Sequence, residues 1–250
     1  MKTDYKFPVE FQPIKTEQGL SIPSKFALVR SDTKDVLSVV TDKYKLLKHE
    51  DVIDSFRNAL HGIGADEKIV LKTNGAQLFA TYKLNEEFEV AKNDKLNMQF
   101  IVRNSYNYTS SLQIILGAFR LVCSNGMIVG KQFISFSQRH IGENTLIDKK
   151  VLGETIDKLT LDFKSSLPQI SKMIKTSLKT APKALFNPKT IRIPSYLLEE
   201  AELKYSGEDR SVWGFYNALT WAITHKMSEE NALQKVEYGR IAYAVAQSKI

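Results

Sequence analysis

The stretch FRLVCSNGMIVG, residues 119–130, decides the fold class that this sequence predicts. Apolar residues on both sides of Asn125-Gly126 are typical of β-strands, and this dipeptide favours a tight turn because both residues tolerate a positive φ. The stretch also contains the single cysteine of the chain, Cys123. We therefore expect two antiparallel strands joined at Asn125-Gly126, with Cys123 buried in the first of them.

Further strand-like segments precede this stretch and predict a larger antiparallel sheet. A turn at Asn74-Gly75 separates two of them, and an apolar face over residues 50–60 predicts one early helix. The predicted strands cover residues 36–40, 69–72, 77–84, 88–91 and 96–102, with two or three more in 111–136, broken at Gly117 and at 124–126. We expect one curved antiparallel sheet between about residue 36 and residue 140.

The spacing of apolar residues changes after His140 from two to about three and a half, which predicts helices. The apolar side of the first helix comprises Leu152, Ile156, Leu159, Phe163, Leu167, Ile170, Ile174 and Leu178, and the opposite side carries Lys158, Lys164, Lys172, Lys175 and Lys179. This helix is therefore amphipathic with a basic free face. Pro168 is expected to kink or divide it, because proline removes a backbone donor.

Two more helices are predicted near the end of the chain. Residues 212–225 are apolar on almost every side, so we expect that helix inside the fold. Ser228, followed by two glutamates, is typical of the start of a helix that runs to about residue 247. Prolines at 182, 188 and 194 indicate an irregular connector over about 180–195.

These patterns together predict an α+β protein with three parts. Residues 1–35 form an N-terminal arm, residues 36–147 form the antiparallel sheet with its helix, and residues 148–250 form a helical region that contains the basic amphipathic helix.

The formal charge of +7 is concentrated in one segment. Between Phe163 and Leu198 the sequence has no acidic residue. The cations of this segment are Lys164, Lys172, Lys175, Lys179, Lys183, Lys189 and Arg192. Such a local density favours an anionic partner, nucleic acid before a membrane surface. The alternative is a lysine-rich face that contacts only solvent.

Other properties of the chain concern its location. No apolar run approaches the length of a bilayer span, and residues 1–11 lack the apolar segment of a secretory signal. A single cysteine cannot form an internal disulfide, which fits a reducing compartment. We expect a cytoplasmic protein without a membrane partner.

The common motifs of metal and catalytic sites are missing from the sequence. The histidines at 49, 61, 140 and 225 lack the spacing of a metal site, and there is neither a phosphate-binding glycine loop nor a nucleophile elbow. We therefore expect no metal, no cofactor and no enzymatic activity. One enzymatic hypothesis stays open, in which Asn125, His140, Asn217 and His225 converge on one pocket.

Cations and aromatic residues alternate along the later strands, a combination that holds single-stranded nucleic acid through its phosphates and bases. The aromatic residues are Tyr106, Tyr108, Phe119, Phe133 and Phe136. The predicted nucleic-acid-binding residues are Arg103, Arg120, Lys131, Arg139 and His140, together with Lys172, Lys175 and Lys179 of the basic helix. Because successive strand residues point to opposite faces, at most half of the sheet residues can share one surface.

Four short motifs carry a resemblance to a known family. They are VVTDKY at 39–44, RLVCSNG at 120–126, Arg139-His140, and Asn217-Ala-Leu-Thr220 followed by His225. The chain resembles an uncharacterised family of phage- and plasmid-like proteins, found in prophages, lytic phages and plasmids. It departs from that family at Trp221-Ala222, where a more polar pair is expected.

The resemblance implies a mobile-element origin. It marks as family residues Tyr44, Cys123, Asn125, Gly126, Asn217, Thr220 and His225, for which we expect a structural role. On a buried helix, for example, a threonine hydroxyl can donate to the carbonyl four residues earlier, and an asparagine can bridge to a strand edge.

The order of the predicted elements is similar to that of phage single-strand annealing proteins of the Erf and Red-beta kind. This similarity implies binding and annealing of single-stranded DNA in recombination by a homo-oligomeric ring or filament. The first hypothesis is therefore a phage- or plasmid-encoded protein that binds single-stranded DNA. The alternative is a non-enzymatic interaction factor of a mobile element, a host-defence antagonist or assembly factor, whose basic helix docks on an acidic protein.

Overall fold

The computed structural model describes residues 4–60, 62–92, 94–120, 125–127, 134–140, 149–178, 182–186, 192–205, 210–228 and 231–250. Cys123, Lys131 and Lys179 lie outside them. Over the described residues the chain forms two antiparallel sheets and five α-helices, so the predicted α+β class is confirmed.

The first sheet has three antiparallel strands. They are β1 (Val9–Lys15), β2 (Ser21–Arg30) and β3 (Val36–Thr41), and β2 lies in the middle. The segment 1–35, predicted as an arm, thus contains two strands. Most residues of β1 and of the first half of β2 are exposed on both faces. These strands therefore lack the alternation by which a half-buried strand is predicted.

The second sheet has six strands. They are β4 (Ala65–Lys72), β5 (Gln77–Ala91), β6 (Asp94–Ser105), β7 (Leu112–Arg120), β8 (Asn125–Met127) and β9 (Ile134–Gln138). Strands β4 to β8 are neighbours in chain order, and β9 pairs with the first half of β7. The prediction of one continuous sheet was wrong, because β3 pairs with β2 in the first sheet.

The turn between β4 and β5 has the conformation that Asn-Gly predicts. Thr73, Asn74 and Gly75 have φ angles of 53°, 54° and 97°. A Cβ atom on Gly75 would lie 2.7 Å from the ring of Phe7. Glycine is therefore required here both by the backbone conformation and by the close approach of Phe7.

The other predicted turn lies at a different place. Asn125 and Gly126 belong to β8, where they pair with Arg120 and Phe119. The connection between the paired strands is therefore 121–124, which lies outside the described residues. Gly117 does not break a strand but lies within β7. The apolar pattern therefore predicted the strands correctly, whereas the turn predicted at Asn125-Gly126 was wrong, because both residues are paired within β8.

Two compact units divide the chain. The first comprises residues 1–83, 100–115 and 134–159, and the second comprises residues 84–99, 116–133 and 160–250. Strands β5, β6 and β7 contribute residues to both units.

Helix α1 (His49–Ala59) belongs to the first unit and confirms the helix predicted over residues 50–60. Its buried residues are His49, Val52, Ile53 and Phe56. The ring centroid of Phe56 lies 4.6 Å from that of Tyr82 and 5.7 Å from that of Phe100. The predicted apolar side of the helix therefore packs on aromatic residues of β5 and β6.

Helix α2 (Lys149–Lys175) is the predicted amphipathic helix. Its buried residues include Leu152, Ile156, Leu159, Phe163, Ser166, Ile170 and Met173, while Lys158, Lys164, Lys172 and Lys175 are exposed as predicted. Leu167 and Ile174 are half-buried. Helix α5 (Ala232–Gln247) contacts α2 at Gln169. There the Oε1 atom of Gln169 accepts from Tyr243 at 3.2 Å and from Gln247 at 2.5 Å.

Pro168 lies inside α2 and does not divide it. The proline is exposed, and buried residues on both sides of it, Phe163 and Ile170, hold the helix to the second unit. The lost backbone hydrogen bond therefore falls on the solvent side, where water can replace it.

The remaining helices belong to the second unit. They are α3 (Ser195–Tyr205), which was not predicted, α4 (Val212–Lys226) and α5. Helix α4 is buried on almost every side as predicted, and its Trp213 donates from Nε1 to Asp94 of β6 at 2.8 Å. Helix α5 begins at Ala232 and not at Ser228. Among the described helices none is long and apolar enough to cross a membrane.

Candidate nucleic-acid interface

One face of the second sheet is partly open to solvent within the first unit. Along β5 the buried residues are Leu78, Ala80 and Tyr82, and the half-buried ones are Gln77, Phe79, Thr81 and Lys83. The half-buried side meets Lys72 of β4 and Arg103 of β6 at Phe79. We name the side that carries Lys72, Phe79, Lys83, Arg103 and Gln113 the cationic sheet face.

Arg103 is the principal cation of this face. The residue is 5% exposed, and its Cζ atom lies 5.0 Å from the centroid of the Phe79 ring. Its Nη1 donates to Oε1 of Gln113 at 3.2 Å, while its Nε is buried and makes no hydrogen bond to a described residue. Within the described ranges no carboxylate contacts the guanidinium.

The electrostatic state of Arg103 follows from this geometry. Burial lowers the pKa of Arg103 to about 10, which still leaves the side chain protonated at neutral pH. A buried charge without an opposite charge destabilises a fold, because the lost hydration is not replaced. An anion that reached Arg103 would replace that hydration.

Phe79 is in contact with a second cation. The Nζ atom of Lys72 lies 5.2 Å from the centroid of the same ring. Lys83 lies four residues further along β5, and its Nζ atom forms an ion pair with Oδ2 of Asp66 at 3.2 Å. Two cations, Lys72 and Arg103, therefore lie beside the Phe79 ring, which attracts them through its π-electrons.

The structure brings together two of the predicted residues, Tyr44 and His140. Their rings stack with centroids 5.3 Å apart and planes 13° apart, and the backbone N–H of Lys45 donates to the carbonyl of His140 at 2.8 Å. Tyr44 donates from its hydroxyl to the carbonyl of Ser105 at 3.3 Å. His140 is buried, and burial lowers its pKa. The His140 ring therefore acts as a buried support for Tyr44.

His49 forms a second buried group beside Tyr106, and sequence analysis did not assign it a role. Its ring stacks on Tyr106 with centroids 4.0 Å apart. Nε2 is 2.9 Å from the carbonyl of Gly75, and Nδ1 is 3.0 Å from Nδ2 of Asn104. A carbonyl accepts and an amide nitrogen donates, so the ring is neutral with its proton on Nε2. Burial lowers the pKa of His49 to about 3.

Comparison with known proteins assigns the chain to a family. The family model described as a domain of unknown function, DUF932, matches residues 36–237. The chain belongs to the DUF932 family. No curated protein and no solved structure matches it.

Two residues that the resemblance marks, Asn217 and Thr220, lie on α4. Thr220 is buried, and its hydroxyl donates to the carbonyl of Tyr216 at 2.9 Å. Asn217 is buried as well, and α4 packs against β8, the strand of Asn125 and Gly126. Two motifs of this DUF932 chain, distant in sequence, therefore meet in the second unit.

His225 lies near the exposed end of α4. Its Nδ1 donates to the carbonyl of Trp221 at 3.0 Å, and the two rings stack with centroids 5.2 Å apart. His140 belongs to the first unit and His225 to the second. Asn125 and Asn217, the other two residues of the enzymatic hypothesis, also belong to the second unit.

The other predicted nucleic-acid-binding residues lie in several places. Arg139 is exposed and directly precedes His140, and the backbone of Arg120 pairs with Asn125. Lys172 and Lys175 are exposed in the last turn of α2, where their charge complements the negative end of the helix dipole. Lys131 and Lys179 lie outside the described residues.

Sequence analysis missed Lys72, Lys83 and Phe79. Arg103 was selected because it is basic and near tyrosines, whereas its role depends on the neighbours that the sheet brings to it. The alternation of apolar and polar residues along β5, Gln77 to Lys83, could have indicated that Phe79 and Lys83 lie on one side.

Proposed function

We propose that this DUF932 protein is encoded by a phage or plasmid and binds nucleic acid, with single-stranded DNA as its main ligand and strand annealing in recombination as its role. The observation that carries the proposal is Arg103, a buried guanidinium that contacts an aromatic ring and an amide but no carboxylate of the described chain. The activity is binding and not catalysis.

A phosphate group fits the chemistry of Arg103. The planar guanidinium donates to two phosphate oxygens at once, and hydrogen bonds between charged groups are about twice as strong as neutral ones. In a buried place the effective dielectric constant is lower than in water, so the attraction is stronger. A phosphate would therefore remove the energetic penalty that Arg103 now has.

Helix α2 supplies a second group of cations, in the second unit. Lys172 and Lys175 are exposed, and Lys164 is directed to Glu86 at 3.2 Å. Exposed lysines near a nucleic acid replace condensed counterions, which contributes affinity without sequence preference. Annealing would also require several copies on one strand, so we propose a ring or filament in the host cytoplasm.

A salt titration tests this function. We expect a fluorescently labelled single-stranded DNA to bind with submicromolar affinity at about 50 mM salt, and the affinity to fall steeply towards about 300 mM. In the double variant Lys172→Ala, Lys175→Ala, the slope of log affinity against log salt should become smaller by roughly 1.4, because two phosphate contacts are lost.

The control for this titration is the double variant Lys25→Ala, Lys249→Ala, which removes two exposed lysines elsewhere. It should keep the wild-type slope. Absence of wild-type binding at low salt would contradict the proposed function, and an equal change of slope in both double variants would contradict the role of α2.

A second candidate function, protein interaction, is favoured by the first sheet. Large apolar residues are exposed there, among them Val36 at 63% and Val39 at 54%, and Leu20, directly before β2, is 68% exposed. Val36 and Val39 lie on β3, an edge strand of that sheet. Exposed apolar groups on an edge strand are typical of surfaces that bind another chain.

A pull-down with nuclease-treated host lysate tests this candidate. If a protein is the partner, it should remain bound after nuclease and be lost in Val39→Glu, because a carboxylate would then enter an apolar contact. The matched control is Val151→Glu, the same change at an exposed valine of α2. A partner that nuclease releases, or that both variants lose equally, would contradict this function.

A further inference from the structure

The loop after β6 carries an aromatic residue in an unusual conformation. Tyr108 is 51% exposed, and its φ is 59°, in the left-handed region. For a bulky residue this region is unfavourable by about 1–2 kcal/mol, and such residues cluster at ligand sites. The conformation of Tyr108 therefore calls for an explanation beyond the local sequence.

The loop around Tyr108 is fixed at both ends. The N–H of Tyr106 donates to the carbonyl of Ala76 at 2.8 Å, and its hydroxyl accepts from the N–H of His49 at 2.7 Å. Ser105 donates from its hydroxyl to the carbonyl of Ser110 at 2.7 Å, and the N–H of Ser110 donates back at 3.0 Å. The position of Tyr108 is therefore set by the fold.

Tyr44 and His140 lie behind Tyr108. The ring of Tyr108 meets Tyr44 edge to face, with centroids 5.2 Å apart, and Tyr44 in turn stacks on the buried His140. One side of Tyr108 is thus supported by Tyr44, which is itself held by His140, and about half of the surface of Tyr108 faces solvent. An aromatic ring that is supported from behind loses little entropy when it binds a second ring.

We propose that Tyr108 stacks on an unpaired base of a bound strand and thereby makes the protein selective for single-stranded over double-stranded nucleic acid. This inference rests on the proposed function and adds the feature of the ligand that is recognised. Bases in a duplex already stack on each other, so only an unpaired base offers its face. Arg103 lies on β6, two residues before the strand ends at Ser105, and Tyr108 follows that end by three residues, so a phosphate contact and a base contact would be close along the chain.

Replacing Tyr108 with glycine separates binding from folding. Glycine adopts a φ of 59° without penalty, and this gain offsets the lost ring contact with Tyr44, so the Tyr108→Gly variant should unfold close to the wild-type temperature. Its affinity for a labelled single strand should fall about tenfold, because one stacked base is lost, whereas its affinity for a duplex of the same sequence should stay unchanged.

Two controls accompany this variant. Tyr108→Phe keeps the ring and should keep single-strand binding. Tyr196→Ala removes a tyrosine of similar exposure, 46%, on α3 of the second unit and should leave binding unchanged.

The outcomes distinguish the two proposals. If the wild-type protein binds neither probe, the proposed function fails, and the inference fails with it. If the wild type binds and Tyr108→Gly binds the single strand equally well, the proposed function stands, and the inference is overturned. Equal losses for single strand and duplex would also overturn it, since Tyr108 would then contact the backbone.

Discussion

The Arg103→Met variant is expected to unfold at higher denaturant concentration than the wild type and to bind single-stranded DNA about tenfold more weakly or worse. Methionine fills a similar volume beside Phe79 without a charge. The substitution leaves Gln113 without its hydrogen bond from Arg103, but Gln113 is half-buried and can bind water instead. Replacement of a buried unpaired ion by an apolar side chain stabilises proteins by about 1 kcal/mol or more. Urea unfolding and anisotropy titration of the same preparation give both quantities.

Arg57→Met is the matched control, because it removes the same charge from the same unit. Arg57 donates from Nε to Glu67 at 2.9 Å and from Nη1 to the hydroxyl of Tyr5 at 2.6 Å. Its loss should lower the free energy of unfolding by up to about 1 kcal/mol and leave DNA binding unchanged. If Arg103→Met were the destabilised variant, or bound DNA like the wild type, Arg103 would be a structural residue only.

Acid is expected to destabilise the first unit through His49. The folded-state pKa of His49 is about 3, whereas an unfolded histidine has a pKa near 6.5. Between these values the unfolded state binds the additional proton, so the stabilisation is present above about pH 6.5 and is lost as the pH falls towards 3. From neutral pH to about pH 4.5 the expected loss is about 2 kcal/mol, and His140, whose pKa is also lowered, adds to it.

His49→Gln tests the source of this effect by denaturant unfolding at neutral pH and at about pH 4.5. The variant should be less stable at neutral pH, because the contact with Tyr106 is lost, and its stability should change less between the two pH values. Phe56→Leu, a core variant of α1, should also be less stable yet keep the wild-type pH dependence. A wild-type pH dependence in His49→Gln would assign the acid sensitivity to other groups.

Local patterns predicted a large part of the fold. The apolar face of residues 50–60 predicted α1, the all-round apolar segment 212–225 predicted α4, and Asn74-Gly75 predicted a turn with positive φ. Each of these depends on residues within one element. The pairing of β3 with β2 depends on residues of two different elements. In addition, the exposed residues of β1 and β2 lack the alternation of apolar and polar residues that would predict a strand.

The candidate site was less accessible to sequence analysis than the fold. Basic character and neighbouring tyrosines indicated Arg103, but its burial without a carboxylate among the described residues depends on the assembled sheet. His49 has its partners Gly75, Asn104 and Tyr106 at separations of 26, 55 and 57 residues. No short motif spans such distances, so residues of this kind are found only when the chain is folded.

The close approach of Phe7 to Gly75 has a practical consequence for protein engineering. Phe7 lies in the hydrophobic cluster with Tyr44 and Tyr106, its ring is covered by Arg30 at 4.0 Å, and Arg30 reaches the carbonyl of Asn74 at 3.3 Å. The start of the chain therefore closes the same cluster that supports the loop of Tyr108. Shortened versions made for crystallography should therefore retain Phe7, because its ring is part of this cluster.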